Sequence, residues 1–326
     1  MVKALALFSG GLDSLLAIKL IQKQGIDVTA LNFTSPFCTC SKTNGCSAVK
    51  QAKELNIPIK LIDKGKEYLK IIRNPKHGYG KNLNPCIDCR IFILKKAKKY
   101  AKEIKADFIF TGEVLNERPM SQHESALFLI EKKAGLKKQI LRPLSAKLLP
   151  ETYAEKNGLV NRNKLLDIKG RCRDKQLDLV DEFKIKGYAC PSGGCLLTNK
   201  EFADKVRDLF KHQKNVSIQD IKLLKIGRHF RINNVKVIVG RNEEDNKQLK
   251  KIAKSSDLIL EAVNVPTPTT LIKGKSNKDI IQKAAELTAY YSDSVGLTKI
   301  RIKGRKKFLL AKKINEKEIN NYKITA

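Results

Sequence analysis

The apolar positions of the first part of the chain fall into short continuous runs separated by stretches with helical spacing. Residues 4–8 read as a buried strand and 14–23 as an amphipathic helix. Residues 28–33 form a second strand, 47–55 a helix, 57–63 a third strand and 87–104 a long helix with a basic face. Residues 107–111 and 140–144 supply a fourth and a fifth strand. Strands alternating with helices predict an α/β fold whose parallel sheet is covered on both faces. Ligands of such sheets bind at the carboxyl ends of the strands. SGGLDS, residues 33–35 and residues 111–113 each follow a predicted strand and are expected to converge there.

From about 145 to 210 the pattern becomes helical, basic and irregular, with the turn-rich segment YACPSGGCLLTN in its midst. Beyond that, IGRHFRINNVKVIVGRN predicts a hairpin around Asn-Asn, followed by a helix over 243–254, a strand over 257–263 and a helix over 278–290. LTKIRIKGRKKFLLAKK predicts another hairpin. These shifts divide the chain into residues 1–145, a helical extension over 146–210 and a small α+β domain over 211–326. No internal repeat is visible.

Composition sharpens this picture in two ways. The balance of 65 Lys+Arg against 33 Asp+Glu, a net +32, favours a polyanionic partner. No run approaches the roughly 18 apolar residues of a membrane span, and a strand begins almost at once, so no membrane partner is expected and the expected location is cytoplasmic. In that compartment the eight cysteines point to metal binding or catalysis rather than to a disulfide framework. None lies beyond Cys195.

A glycine-rich turn between strand and helix lets backbone N–H groups approach an anion, aided by the helix N-terminus. Gly10 and Gly11 lift the steric bar, Ser9 and Ser14 offer hydroxyls, and Asp13 suits a Mg²⁺ shared with phosphates. Neither G-x-G-x-x-G nor the Walker P-loop is present. Downstream, NPCIDCR sets Cys86 and Cys89 on one face at the start of a helix, where the N-terminus and Arg90 favour thiolates. CPSGGCLLT adds Cys195, with Cys190 as its rival. Four such thiols could close a Zn²⁺ site; three could hold a [4Fe–4S] cluster with one iron open. Cys38, Cys40 and Cys46 form a separate group, and Cys172 reads as incidental.

SGGLDS resembles the pyrophosphate loop of the ATP-pyrophosphatase family, a Rossmann-like, adenine nucleotide α-hydrolase-like fold. With HGYGKNLNPCIDC, TGEVLNERPMSQ, LRPLSAKLL and CPSGGCLLTN it resembles the tRNA sulfurtransferases of that family, the 4-thiouridine synthase-like and 2-thiouridylase-like group. The familiar 2-thiouridylase carries N-P-D-x-x-C where this chain has Asn84-Pro85-Cys86-Ile87-Asp88-Cys89; its second catalytic cysteine has its best counterpart at Cys195. The resemblance implies an enzyme that uses ATP and Mg²⁺ to adenylate a uridine carbonyl oxygen of tRNA, releasing pyrophosphate. Sulfur from a cluster-bound hydrosulfide or a persulfide on Cys89 or Cys195 then displaces AMP, the donor being sulfide or a persulfide carrier. Ser9, Gly10, Gly11, Asp13 and Ser14 are expected at the phosphates, with Phe33 and Gly112 at the nucleotide. Familiar 4-thiouridine synthases place an RNA-binding domain ahead of the loop. Its absence there leaves RNA docking to the tail, where Lys299, Arg301, Lys303 and Arg305 are the expected phosphate contacts. Two other functions fit parts of the pattern: a nitrogen-using ligase of the same fold, and a zinc-stapled RNA-binding protein without catalysis.

Overall fold

Five apolar runs become the five parallel strands of one sheet: β1 (Lys3–Leu7), β2 (Asp27–Thr34), β3 (Ile59–Asp63), β4 (Phe108–Thr111) and β5 (Ile140–Leu141), in the order β3-β2-β1-β4-β5. The computed structural model describes residues 1–38, 47–185, 187–188, 194–304 and 308–324. The connecting helices are α1 (Leu12–Gln22), α2 (Ser47–Glu54), α3 (Gly65–Arg73), α4 (Cys86–Glu103) and α5 (Glu124–Ala134), followed by α6 (Tyr153–Lys156) and α7 (Asp174–Glu182). Strand β1 is apolar without alternation because both of its faces are buried. Ala4 and Ala6 face a core with Leu16, Ile18 and Ile21 of α1. Leu5 and Leu7 face Ile91, Leu94 and Ala97 of α4. Each fully buried Leu or Ile contributes about 1.5–3 kcal/mol relative to exposure.

The sheet is the predicted one, but β5 stops after two residues. Arg142 turns into a buried ion-pair network and Pro143 has no N–H to continue the ladder. Helices α3 and α5 were not foreseen. The first hides its stripe of Tyr68, Leu69 and Ile72 among lysines; the second starts at a His123 cap whose ring accepts from the Ala126 N–H and ends at Gly135, φ +70°.

The chain divides into two units, Met1–Thr198 and Asn199–Ala326. Residues 146–168 belong to the first unit's core, since Val160, Leu165 and Ile168 pack with α1. The second unit begins at α8 (Lys200–His212), earlier than the expected position near 210, because Asp208 of that helix binds Arg231 and Lys236. Its other elements are α9 (Ile218–Leu223), β6 (Arg228–Ile232), β7 (Val235–Val239), α10 (Glu243–Ile252), β8 (Leu258–Ala262), β9 (Thr270–Ile272), α11 (Lys278–Tyr290), β10 (Thr298–Ile302), β11 (Phe308–Ala311) and α12 (Glu316–Tyr322). The strands form an antiparallel sheet in the order β11-β10-β8-β9-β7-β6. Strand β9, hidden behind a Pro-rich stretch, was missed; both predicted hairpins form. No helix among the described residues is long and apolar enough to cross a membrane.

Candidate active site

The loop after β1 takes its shape from its glycines. Gly10 sits at φ +77°, the left-handed region, and a Cβ there would lie 3.0 Å from the Ala48 nitrogen. Gly11 caps α1 in extended conformation without a side-chain cap, leaving the helix's first N–H groups to a ligand. Ser14 donates to the Gly11 carbonyl at 2.8 Å and lies 3.3 Å from the Ser9 hydroxyl. Asn32, beside the half-buried Phe33 at the end of β2, donates to the Phe8 carbonyl at 2.8 Å and ties the two strand ends together.

Asp13 points toward groups that sequence reasoning missed. The Arg173 guanidinium lies 3.8 Å from Asp13 and 3.0 Å from Glu117. Burial and the nearby Asp13 charge push the Glu117 carboxyl up, against the Arg173 hydrogen bond. Two carboxylates held together by one cation are chemically suited to a divalent ion. Two buried amides flank the loop: Gln176 donates to Asp13 at 3.5 Å, Gln51 underlies Gly10, and among the described residues the Oε1 of each lacks a hydrogen-bond partner. Helix α7, which carries Gln176, had no recognisable motif.

Gly112 has a packing reason to be glycine. A Cβ there would stand 2.5 Å from the Ser14 Cα and N, so only glycine lets this turn close on the first turn of α1. Next to it, buried Glu113 accepts from Arg90 at 3.1 Å and from Arg142 at 3.1 Å, while Arg142 also reaches Glu131 at 2.6 Å. Burial pushes the Glu113 carboxyl up, but Arg90 and Arg142 outweigh it and hold it below its ordinary range. Arg142 is thus a fastener between β4, β5 and α5.

The cysteines come from three distant stretches stitched side by side. Leu196 N–H donates to the Phe37 carbonyl at 2.8 Å, and the backbones of Cys38 and Cys195, both free thiols, pair antiparallel. On the other flank Leu83 N–H donates to the Leu197 carbonyl at 3.1 Å and Asn82 to the Thr198 carbonyl at 2.7 Å, just ahead of Cys86 and Cys89. Asp88 anchors that approach by accepting from the His77 backbone N–H at 2.9 Å. Lys64, following β3, donates to the Cys89 sulfur at 3.2 Å and lies 4.5 Å from the Tyr68 ring centre. Neither Lys64 nor Tyr68 was foreseen, because neither belongs to a spaced motif.

The expectation that the helix start and Arg90 would favour thiolates does not extend to Cys86. Burial and the neighbouring Cys89 push its thiol up, against Arg118 and Arg90. Burial likewise pushes the Cys195 thiol up to about 12. Three thiols are the right donor chemistry for zinc or a cluster. Yet among the described residues no three Cys, His, Asp or Glu side chains stand close enough to hold one metal ion. The trio shares a neighbourhood without closing into a ligand shell, so these residues as they stand do not fit the group. Cys190, Cys40, Cys46 and Arg305 lie outside the described residues. Cys172 is exposed and donates to Asp174 at 2.8 Å. In the second unit Lys299, Arg301 and Lys303 are exposed, while Ile300 and Ile302 enter the core.

Comparison with known proteins gives each unit its own relatives. Residues 1–148 match the family of the thiamine biosynthesis protein (ThiI), and residues 227–323 match the NFACT protein RNA binding domain. The chain is 28% identical over 68% of its length to the tRNA-specific 2-thiouridylase MnmA of Karelsulcia muelleri, spanning 65% of that protein. It is 32% identical over 35% of its length to a probable tRNA sulfurtransferase of Ureaplasma parvum, spanning 30% of it. Among solved structures, the U34-tRNA thiolase NcsA from Methanococcus maripaludis, determined with its [4Fe-4S] cluster, shares 20% identity. It covers 69% of this chain and 73% of its own, with a TM-score of 0.34.

Proposed function

We propose, from an amino-terminal unit whose residues 1–148 form a ThiI-family domain, that the chain is an ATP-dependent tRNA sulfurtransferase. One observation carries this reading: the glycine-rich loop, Cys38 and Lys64 follow carboxyl ends of strands of one parallel sheet, Cys86 and Cys89 open the helix beside them, and the Cys195 stretch is bonded onto Phe37 and Cys38. The tRNA-modifying relatives support it, as does the RNA-binding domain match in the second unit.

In this reading the loop N–H groups and Ser9 hold the ATP phosphates, and Asp13, with Glu117 beside it, holds Mg²⁺. The uridine oxygen bonds to the α phosphorus and pyrophosphate leaves, the loop dipoles offsetting the developing charge. The terminal sulfur of a persulfide on Cys89 or Cys195 then bonds to the adenylated carbon, and AMP leaves. The other thiol attacks the remaining S–S bond, freeing the thiocarbonyl and forming a disulfide that an external dithiol reduces. A metal or cluster at this place requires the three thiols to draw together or Cys190 to join them, which metal analysis of anaerobically purified protein reads directly.

The test incubates the chain with ATP, Mg²⁺, a persulfide-sulfur donor, a dithiol reductant and unmodified tRNA, then digests the RNA and measures thiolated uridine. The expected result is thiouridine formed with pyrophosphate, abolished by Cys89→Ala with tRNA binding retained. Full activity of Cys89→Ala rejects the assignment of the thiols; pyrophosphate release without RNA rejects the tRNA substrate.

A further inference from the structure

The sheet of the second unit is covered unevenly. Helix α11 covers one face, its Ile281, Ala284 and Ala285 packing on Val237, Val239, Leu260, Ile300 and Ile302. On the opposite face, Leu223 of α9 and Leu249 of α10 cover Ile238, Ile259 and Leu271. That cover ends at β8. Strands β10 and β11 extend beyond it, and β11 is the sheet's edge.

Cross-strand register sets what this bare corner displays. Lys299 stands opposite Leu310, and Arg301 opposite Phe308, all four on the face away from α11. Phe308 is 52% exposed and Leu310 53%, and both lysine and arginine are exposed. Among the described residues no ion pair ties Lys299 or Arg301. Glu261, the other neighbour of Arg301, is already held by Lys250 at 2.7 Å and by Thr269. An exposed apolar edge strand invites aggregation unless something covers it.

We propose that the β10–β11 face is a platform for unpaired nucleotides of RNA: a base stacks on Phe308 with Leu310 beside it, while Lys299 and Arg301 take the flanking phosphates. Paired bases hide their faces in the stack, so an aromatic ring next to open cations selects single-stranded over helical RNA. Charge decides the occupant, since a net +32 and two unpaired cations on the patch complement a polyanion and repel a second copy of this chain. The inference rests on the sulfurtransferase reading only for its choice of RNA as the polyanion. It goes beyond phosphate contact by assigning base recognition to the apolar residues.

The experiment measures binding of the full chain to two labelled RNA hairpins of one stem sequence, one blunt and one with a four-nucleotide unpaired 3′ end. The unpaired end is expected to bind about tenfold more tightly, a typical stacking gain. Phe308→Ala should abolish that preference with blunt-hairpin affinity unchanged, and Phe308→Trp should restore it. Lys299→Ala and Arg301→Ala should weaken both RNAs, each lowering the salt slope by about one. Equal binding of both hairpins by the native chain overturns the proposal, as does a Phe308→Ala chain that keeps the preference. A native dimer that Phe308→Ala makes monomeric overturns it in favour of a second copy. A native chain without the preference but with normal thiolation activity sinks this inference alone; a native chain with the preference but without thiolation sinks the enzymatic reading alone.

Discussion

The carboxyl edge of the first sheet and the bare corner of the second treat charge in opposite ways. At the first, Glu113 is locked between Arg90 and Arg142, and Asp13 shares Arg173 with Glu117. At the second, Lys299 and Arg301 stand in water beside apolar neighbours. Chemistry on a phosphoryl group needs dipoles fixed beforehand in a dry place. Capture of a flexible polyanion needs cations left free to shed their counterions. Substitutions at the first edge should therefore act on folding and turnover, and those at the second on affinity and its salt dependence.

The sharpest break in that contrast is Glu113→Ala, which leaves the buried Arg142 and the half-buried Arg90 guanidinium groups without their shared partner. We expect a loss of about 3–5 kcal/mol of stability, read as a lower urea midpoint for the first unit. Gly112→Ala comes next: its Cβ must displace the Ser14 backbone, so ATP-dependent pyrophosphate release should fall about a hundredfold with little change in RNA binding.

Third, the second unit should respond to alkali. Burial pushes the Lys236 amine down to about 8, with Asp208 opposing, from an ordinary value of 10.5. The folded state thus resists the protonated form. Stability present above about 10.5 is lost as pH falls toward 8, and urea melts should show that unit gaining stability as pH rises across the window. Lys236→Met should flatten that rise. The smallest effect is at Lys303: Lys303→Ala should weaken RNA binding about threefold and reduce the salt slope by about one, leaving thermal stability unchanged.

Much of this was legible in the sequence because it depends on local pattern. The apolar runs of β1 and β2, the glycines at 10 and 11 and the alternation Lys299-Ile300-Arg301-Ile302 announce themselves at short range. What escaped depends on long-range pairing. Arg173 and Gln176 meet Asp13 only because α7 packs on α1, Glu117 because β4 lies beside β1, and Lys64 reaches Cys89 only through the order of the strands. Gly112 stands out in its turn, but its packing against an element almost a hundred residues away in the chain is invisible at short range. Arg142 is paired with Glu113 and Glu131, acids that no spacing links to it.

The stitching of Leu196 and Leu197 between Phe37 and Leu83 has a consequence for how the protein is made. These few bonds close loops of more than a hundred residues, and their entropic cost must be met before they form. A ribosome that has released only the first strands and helices therefore carries Cys38, Cys86 and Cys89 without Cys195 beside them. The thiol cluster is a late product of synthesis, assembled only once the chain has passed Thr198.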